Sequence, residues 1–180
     1  MLPSSTITYQ APQPTERHET ALKGGQFDYL RPVRIAEAKE IDIAELSRKY
    51  PEIKLPPDSP ITYADAYQNA ELTYFYARKW GVNHDMMYRI VGCETGWQFD
   101  HTMRSLATYK DGTRENSWGL AQWHLPAKNV TKDGQVITKE IATDPHQSLD
   151  AMAWHISEGR AGLWSCYHIL KKEGVIHTSI

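Results

Sequence analysis

The sequence predicts a mainly α protein of the α+β class with one small antiparallel β-hairpin region. Three observations carry this expectation. Apolar residues recur at helical spacing from Thr62 to Gly81, from Met87 to Glu94, from Asp144 to Ile156 and from Ala161 to Lys172. That period disappears between Asp100 and Thr143. Inside the gap stand Asp111-Gly112 and Asp133-Gly134, dipeptides that suit the left-handed backbone of tight hairpin turns.

The elements follow in chain order. Pro3, Pro12 and Pro14 sit among Ser, Thr and Gln, and Pro51, Pro56, Pro57 and Pro60 close the same region. Residues 1–61 therefore read as a Pro-rich extension, linker or strap, with a short helix from about Asp42 to Tyr50 whose Ile43 and Leu46 can dock on the body. The folded domain is expected over 62–180. Thr62 and Asp65 have the spacing of a capping box, Ala66, Ala70, Tyr74 and Ala77 form an apolar face, and Gly81 ends the helix. Met87, Ile90, Val91 and Glu94 share one face of the next helix, which Gly96 stops. Ser117 falls on the second strand of the β region. Asp144 as N-cap and Pro145 at the first position start a helix with the stripe Leu149, Met152, Ala153, Ile156. In the last helix Leu163, Cys166, Tyr167 and Leu170 point inward, and Lys171 and Lys172 suit its negative end.

A chain of 180 residues has room for one domain with a sizeable core and an appendage. Twenty basic against twenty-two acidic residues leave a net charge of -2, which argues against a nucleic-acid partner held by phosphate neutralisation. No apolar run is long enough to span a bilayer, so no transmembrane segment is expected. Met1-Leu2-Pro3-Ser4-Ser5 lacks the basic and apolar regions of a secretory signal. The eight histidines form no His-Glu-x-x-His and the cysteines no Cys-x-x-Cys, so neither a metal nor a cofactor is expected.

Glu94 stands out because it ends an apolar stripe. A carboxyl there is partly desolvated and lies at the negative end of a helix dipole, and both effects favour its protonated form. Such a group is a general acid that keeps its proton near neutrality. A salt-bridged or capping surface Glu is the plain alternative. A Cys-His peptidase is a rival from another class, with Cys93 as nucleophile and His124 or His168 as base, but a thiolate is disfavoured at a helix C-terminus beside Glu94.

Three motifs then occur in order: Cys93-Glu94-Thr95-Gly96-Trp97, Ser117-Trp118-Gly119-Leu120-Ala121-Gln122, and Asp144-Pro145 opening an apolar helix. With the approach Trp80-Gly81-Val82-Asn83-His84-Asp85, they resemble the catalytic domain of soluble lytic transglycosylases in the lysozyme-like superfamily, over residues 62 to 172. The resemblance implies a lysozyme-like fold. It also implies cleavage of peptidoglycan glycan strands at the β-1,4 bond between N-acetylmuramic acid and N-acetylglucosamine, with Glu94 as acid and then base.

The second motif carries Ser117 where animal-type lysozymes place an Asp, which favours the transglycosylase route to 1,6-anhydro ends. Asp100, Asp111 and Glu115 remain candidates for a second carboxylate and hence for a hydrolytic lysozyme; as plain residues, Asp111 is a turn residue and the other two are solvated loop charges. By the same resemblance Ser117 and Gln122 bind substrate acetamido or hydroxyl groups. Tyr167 corresponds to a tyrosine that hydrogen-bonds the catalytic Glu, although Cys166-Tyr167-His168 departs from the family's Ala-Tyr-Asn. Six Trp and ten Tyr suit sugar faces or simply fill the core. Trp118 and Trp123 are substrate-binding candidates, and with Trp97 they would do the binding in a non-catalytic peptidoglycan-binding module. Because catalytic and last helices pack together in the resembled fold, Cys93 and Cys166 are expected to form a disulfide in an oxidising compartment, or to stay buried thiols in a cytosol. The expected location is the cell envelope, the extracellular space or a virus particle.

Overall fold

The computed structural model describes residues 42–176. Residues 1–41, which carry most of the expected extension, lie outside the described residues, as do 177–180. The compact unit that contains the helices begins at Ile43 rather than at Thr62. Helix α1 (Ile43–Lys49) lies close to the expected span. Leu46 packs on the core as expected, whereas Ile43 is exposed, and further buried anchors are Tyr50 and Ile53 just beyond the helix. Tyr50 packs its ring against Tyr67, Tyr74 and Tyr88, and its hydroxyl donates to Glu71. These aromatic contacts draw residues 43–61 into the body. The prolines there shape a strap and do not free a linker.

Helix α2 (Tyr63–Lys79) starts with the full capping box, since the Asp65 amide donates to the Thr62 hydroxyl and the Thr62 amide to the Asp65 carboxylate. Helix α3 (His84–Glu94) is capped by Asn83, whose side chain accepts from the Met86 amide. It buries Met87, Ile90 and Val91 against α2 on one side and the last helix on the other. Full burial of such side chains contributes about 1.5 to 3 kcal/mol each. That anchorage holds the end of α3, and with it Glu94.

The chain past Glu94 turns sharply. Gly96, Trp97 and Phe99 all take left-handed backbone angles, at φ 58°, 62° and 51°. Non-glycine residues pay on the order of 1 to 3 kcal/mol for this, so the surroundings must impose it. They do. The Trp97 ring lies over Gly92, where a Cβ would come within 2.5 Å of it. The Asn69 side chain donates to the Phe99 carbonyl at 2.8 Å, and the Lys54 amide donates to the Trp97 carbonyl at 3.2 Å.

Among the described residues the sheet is two-stranded and antiparallel, with Ser117–Trp118 (β1) paired to Trp123–His124 (β2). Isolated antiparallel bridges stand beside it: Arg104 opposite Trp118, Thr108 opposite Arg114 and Val130 opposite Val136. The two Asp-Gly turns lie at the tips of the latter two pairs, as their sequence suggests. Ser117 sits centrally, between the segment at Arg104-Ser105 and β2. Gly119 turns the chain between the strands at φ 73°, with the Ala142 carbonyl so close that a Cβ would meet it at 1.7 Å.

Short helix α4 (Lys139–Thr143) leads to α5 (Pro145–Ser157), whose N-cap Asp144 accepts from the Gln147 amide and whose stripe Leu149, Met152, Ala153, Ile156 is buried. The expected last helix is broken. Ala161–Leu163 form a 3-10 turn, Trp164 is extended, and α6 runs Ser165–Lys172. Cys166 and Leu170 face inward as expected, whereas Leu163 is exposed, because the break turns it away from the core. The described residues are thus mainly helical with a small antiparallel sheet, and none of their helices is long and apolar enough to cross a membrane.

Candidate active site

The end of α3, the β region and the start of α6 enclose a cleft of about 500 Å³. Glu94, Ser117, Gln122 and Trp123 line it together with Glu115 and Ser165. The sequence therefore brings its main candidates to one place although they lie on three separate elements.

Glu94 Oε1 accepts two hydrogen bonds, from the Cys166 amide at 3.0 Å and from the Ser165 hydroxyl at 3.3 Å. Burial of the carboxyl raises its pKa. The two hydrogen bonds, at the positive end of α6, oppose that shift, and the charge of Glu115 adds to it; desolvation wins. The group is a carboxyl disposed to hold a proton above the ordinary Glu range, with one oxygen anchored.

Tyr167 does not take the expected part. Among the described residues the partners of Glu94 are Ser165 and Cys166, while Tyr167 is half-buried beside His168 and Lys171. Helix geometry explains it: the N-terminus of α6 points at Glu94, and Tyr167, one residue after Cys166 in the same first turn, is rotated about 100° around the helix axis from it. A short polar residue one place before the second cysteine was the available signal for Ser165.

Ser117 is buried on β1 in register with His124, and its hydroxyl lies 3.4 Å from His124 Nδ1. Gln122 adopts φ 45° and donates from Nε2 to the Gly119 carbonyl at 2.8 Å, which leaves its carbonyl oxygen for a ligand N–H. The aromatic residues behave differently from expectation. Trp118 does not line the cleft; its indole N–H donates to Asn116 and its ring lies under the Lys139 ammonium at 3.9 Å. Trp97 packs on Gly92 outside the cleft. Trp123 reaches the cleft but is only 3% exposed, wedged between His155 and Trp164. Its place is in the core beneath the site, so among the described residues no broad aromatic platform offers itself to a sugar face.

The three candidate second carboxylates separate. Asp100 is buried and caps the Thr102 amide and hydroxyl, both at 2.7 Å. Asp111 is a turn residue, held below the usual carboxylate range by the Thr113 hydroxyl and amide. Glu115, by contrast, stands in the cleft.

Cys93 and Cys166 are joined in a disulfide across α3 and α6, with Cα atoms 5.9 Å apart. Cys93 therefore has no thiol to act as a nucleophile, and the peptidase alternative loses its central group. Among the described residues no three His, Cys, Asp or Glu side chains converge as a metal site.

No family model, curated protein or solved structure matches this chain. Its function rests on the geometry of the cleft and on the motifs that line it.

Proposed function

We propose that this protein cleaves peptidoglycan glycan strands at the β-1,4 bond between N-acetylmuramic acid and N-acetylglucosamine, within a lysozyme-like catalytic domain. The observation that carries the proposal is Glu94: a carboxyl with raised pKa, anchored on one oxygen, at the edge of a cleft large enough for sugar rings.

Glu94 gives its proton to the leaving glycosidic oxygen as positive charge develops on the muramic sugar. The resulting carboxylate then takes a proton from that sugar's C6 hydroxyl, whose oxygen attacks C1 and closes the 1,6-anhydro ring. This lytic transglycosylase route asks nothing of a second carboxylate, in keeping with Ser117 on the cleft wall. Ser117 and the Gln122 carbonyl supply neutral hydrogen-bonding groups for acetamido and hydroxyl substituents. A substrate of this kind places the protein's work at the cell envelope, outside the cell or on a virus particle. A purely binding module is less well supported, because Trp97 and Trp118 lie outside the cleft and Trp123 is buried.

The test is digestion of isolated peptidoglycan by wild type and Glu94→Gln. Removing general acid catalysis lowers rates by about 10² to 10⁴, so muropeptide release should almost vanish. Release by the variant within a few-fold of wild type would rule the assignment out.

A further inference from the structure

Glu115 is built into the cleft more firmly than a solvated charge requires. Its backbone amide donates to the Ala107 carbonyl at 2.8 Å, and its carbonyl accepts from Arg104 Nε at 3.2 Å. The Ser105 hydroxyl donates to Glu115 Oε2 at 2.8 Å while itself accepting from the Ala107 amide at 3.2 Å. With its lone pair engaged by that amide, the hydroxyl proton is directed at Glu115, which fixes this oxygen as an acceptor. The other oxygen, Oε1, stands 3.8 Å from His124 Nδ1, which also lies 3.4 Å from the Ser117 hydroxyl. The side chain remains about a third exposed, at 32%. The cleft thus receives an anchored carboxyl from the end of α3 and an anchored carboxylate from the β region, close enough for the charge of Glu115 to act on Glu94.

We propose that Glu115 is a second catalytic residue, which takes a proton from a water in the cleft so that this water captures the cleaved sugar in competition with its own C6 hydroxyl. The proposal rests on the glycosidase assignment above. The step balances within the site. The water oxygen bonds to C1 as the C1–O4 bond breaks, one water proton passes to Glu115, and the Glu94 proton passes to O4 of the leaving sugar. Glu115 then releases its proton to solvent and Glu94 regains one, so only water is consumed.

Magnitudes decide why such a residue matters. A tethered hydroxyl acts at an effective concentration on the order of 10⁵ M or more, against roughly 55 M for water, so unassisted water captures almost nothing. A dedicated general base adds about 10² to 10⁴ and brings the two captures within range of each other. Glu115 would therefore set how much of the product ends in a reducing sugar and how much in an anhydro ring.

The experiment digests peptidoglycan with the full chain in ¹⁸O-labelled water and separates chain ends by mass spectrometry. Wild type is expected to yield reducing N-acetylmuramic ends carrying one ¹⁸O beside 1,6-anhydro ends, and in Glu115→Gln the ratio of the two is expected to fall at least tenfold. Anhydro ends alone from wild type would overturn the proposal without any variant, and so would an unchanged ratio in Glu115→Gln. If neither wild type nor Glu94→Gln releases anything, the glycosidase assignment fails and takes this proposal with it.

Discussion

Cys166 holds Glu94 twice over. Its amide donates to Glu94 Oε1 at 3.0 Å, and its sulfur is bonded to Cys93, the residue just before Glu94 in α3. The carboxyl is thereby oriented by the same residue that ties the two helices together, so its position does not depend on the packing of one helix alone. In the proposed role of proton donor, a carboxyl fixed in this way needs little reorganisation when the glycosidic bond breaks.

The raised pKa of Glu94 predicts how the proposed cleavage depends on pH. A general acid works while protonated, so activity should fall as pH rises through a value above the ordinary Glu range. Stability carries the same sign, because in that window the folded state keeps a proton that the unfolded chain releases. Glu94→Gln should remove this part of the stability profile and leave the protein at least as stable at neutral pH. Thermal melts across pH of both proteins, beside the wild-type rate profile, check it; superimposable melts would show that burial does not shift Glu94.

The disulfide closes a loop with a sequence separation of 73. In the chain-entropy model this contributes about 4 to 5 kcal/mol. Cys166→Ser should lower stability by an amount of that order. Alkylation of denatured, unreduced protein should label no cysteine and reduction should expose two; two labelled cysteines before reduction would count against the bridge.

Gly119→Ala should damage the site through the backbone. A methyl there meets the Ala142 carbonyl and must also accept φ 73°. Strain at such a φ alone costs about 1 to 3 kcal/mol, and the clash adds to it by prying α4 from the strand turn. A melt within about 1 kcal/mol of wild type would mean that the turn relaxes easily.

His155 is buried beneath the cleft, and burial holds its pKa down although the Val130 carbonyl at 2.9 Å opposes the shift. Its depressed pKa makes the folded state resist protonation that the unfolded chain accepts. Stability should therefore be complete above the ordinary His range and decline as pH falls through it. His155→Gln should flatten that decline. Denaturant titrations at neutral and mildly acidic pH give the comparison, and equal slopes in both proteins would rule His155 out as the source.

Local chemistry was legible from the chain. The Thr62-Asp65 capping box, the Asp144 cap, the stops after α2 and α3, the buried stripe of α5 and the Asp-Gly turns all depend on residues within a few positions of one another. Their physics is complete inside a short segment, so residue type and spacing determine it. The juxtaposition of Glu94, Ser117 and Gln122 came from the motifs and their resemblance to a family, not from spacing.

Tertiary structure decided what depends on distant contacts. The partners of Glu94 lie 71 and 72 residues away, and which residue of α6 meets it depends on where the helix begins after the break at Trp164. The same holds for Tyr50, which anchors a proline-rich strap only because an aromatic cluster on α2 and α3 receives its ring. Glu115 read as a loop charge until the pairing of Ser105 with Ser117 turned it into the cleft. Residue types determined the local elements and which groups have the chemistry. Packing of elements far apart in sequence decided which of those groups share one desolvated space, because burial and electrostatic coupling act through distance in space, not along the chain.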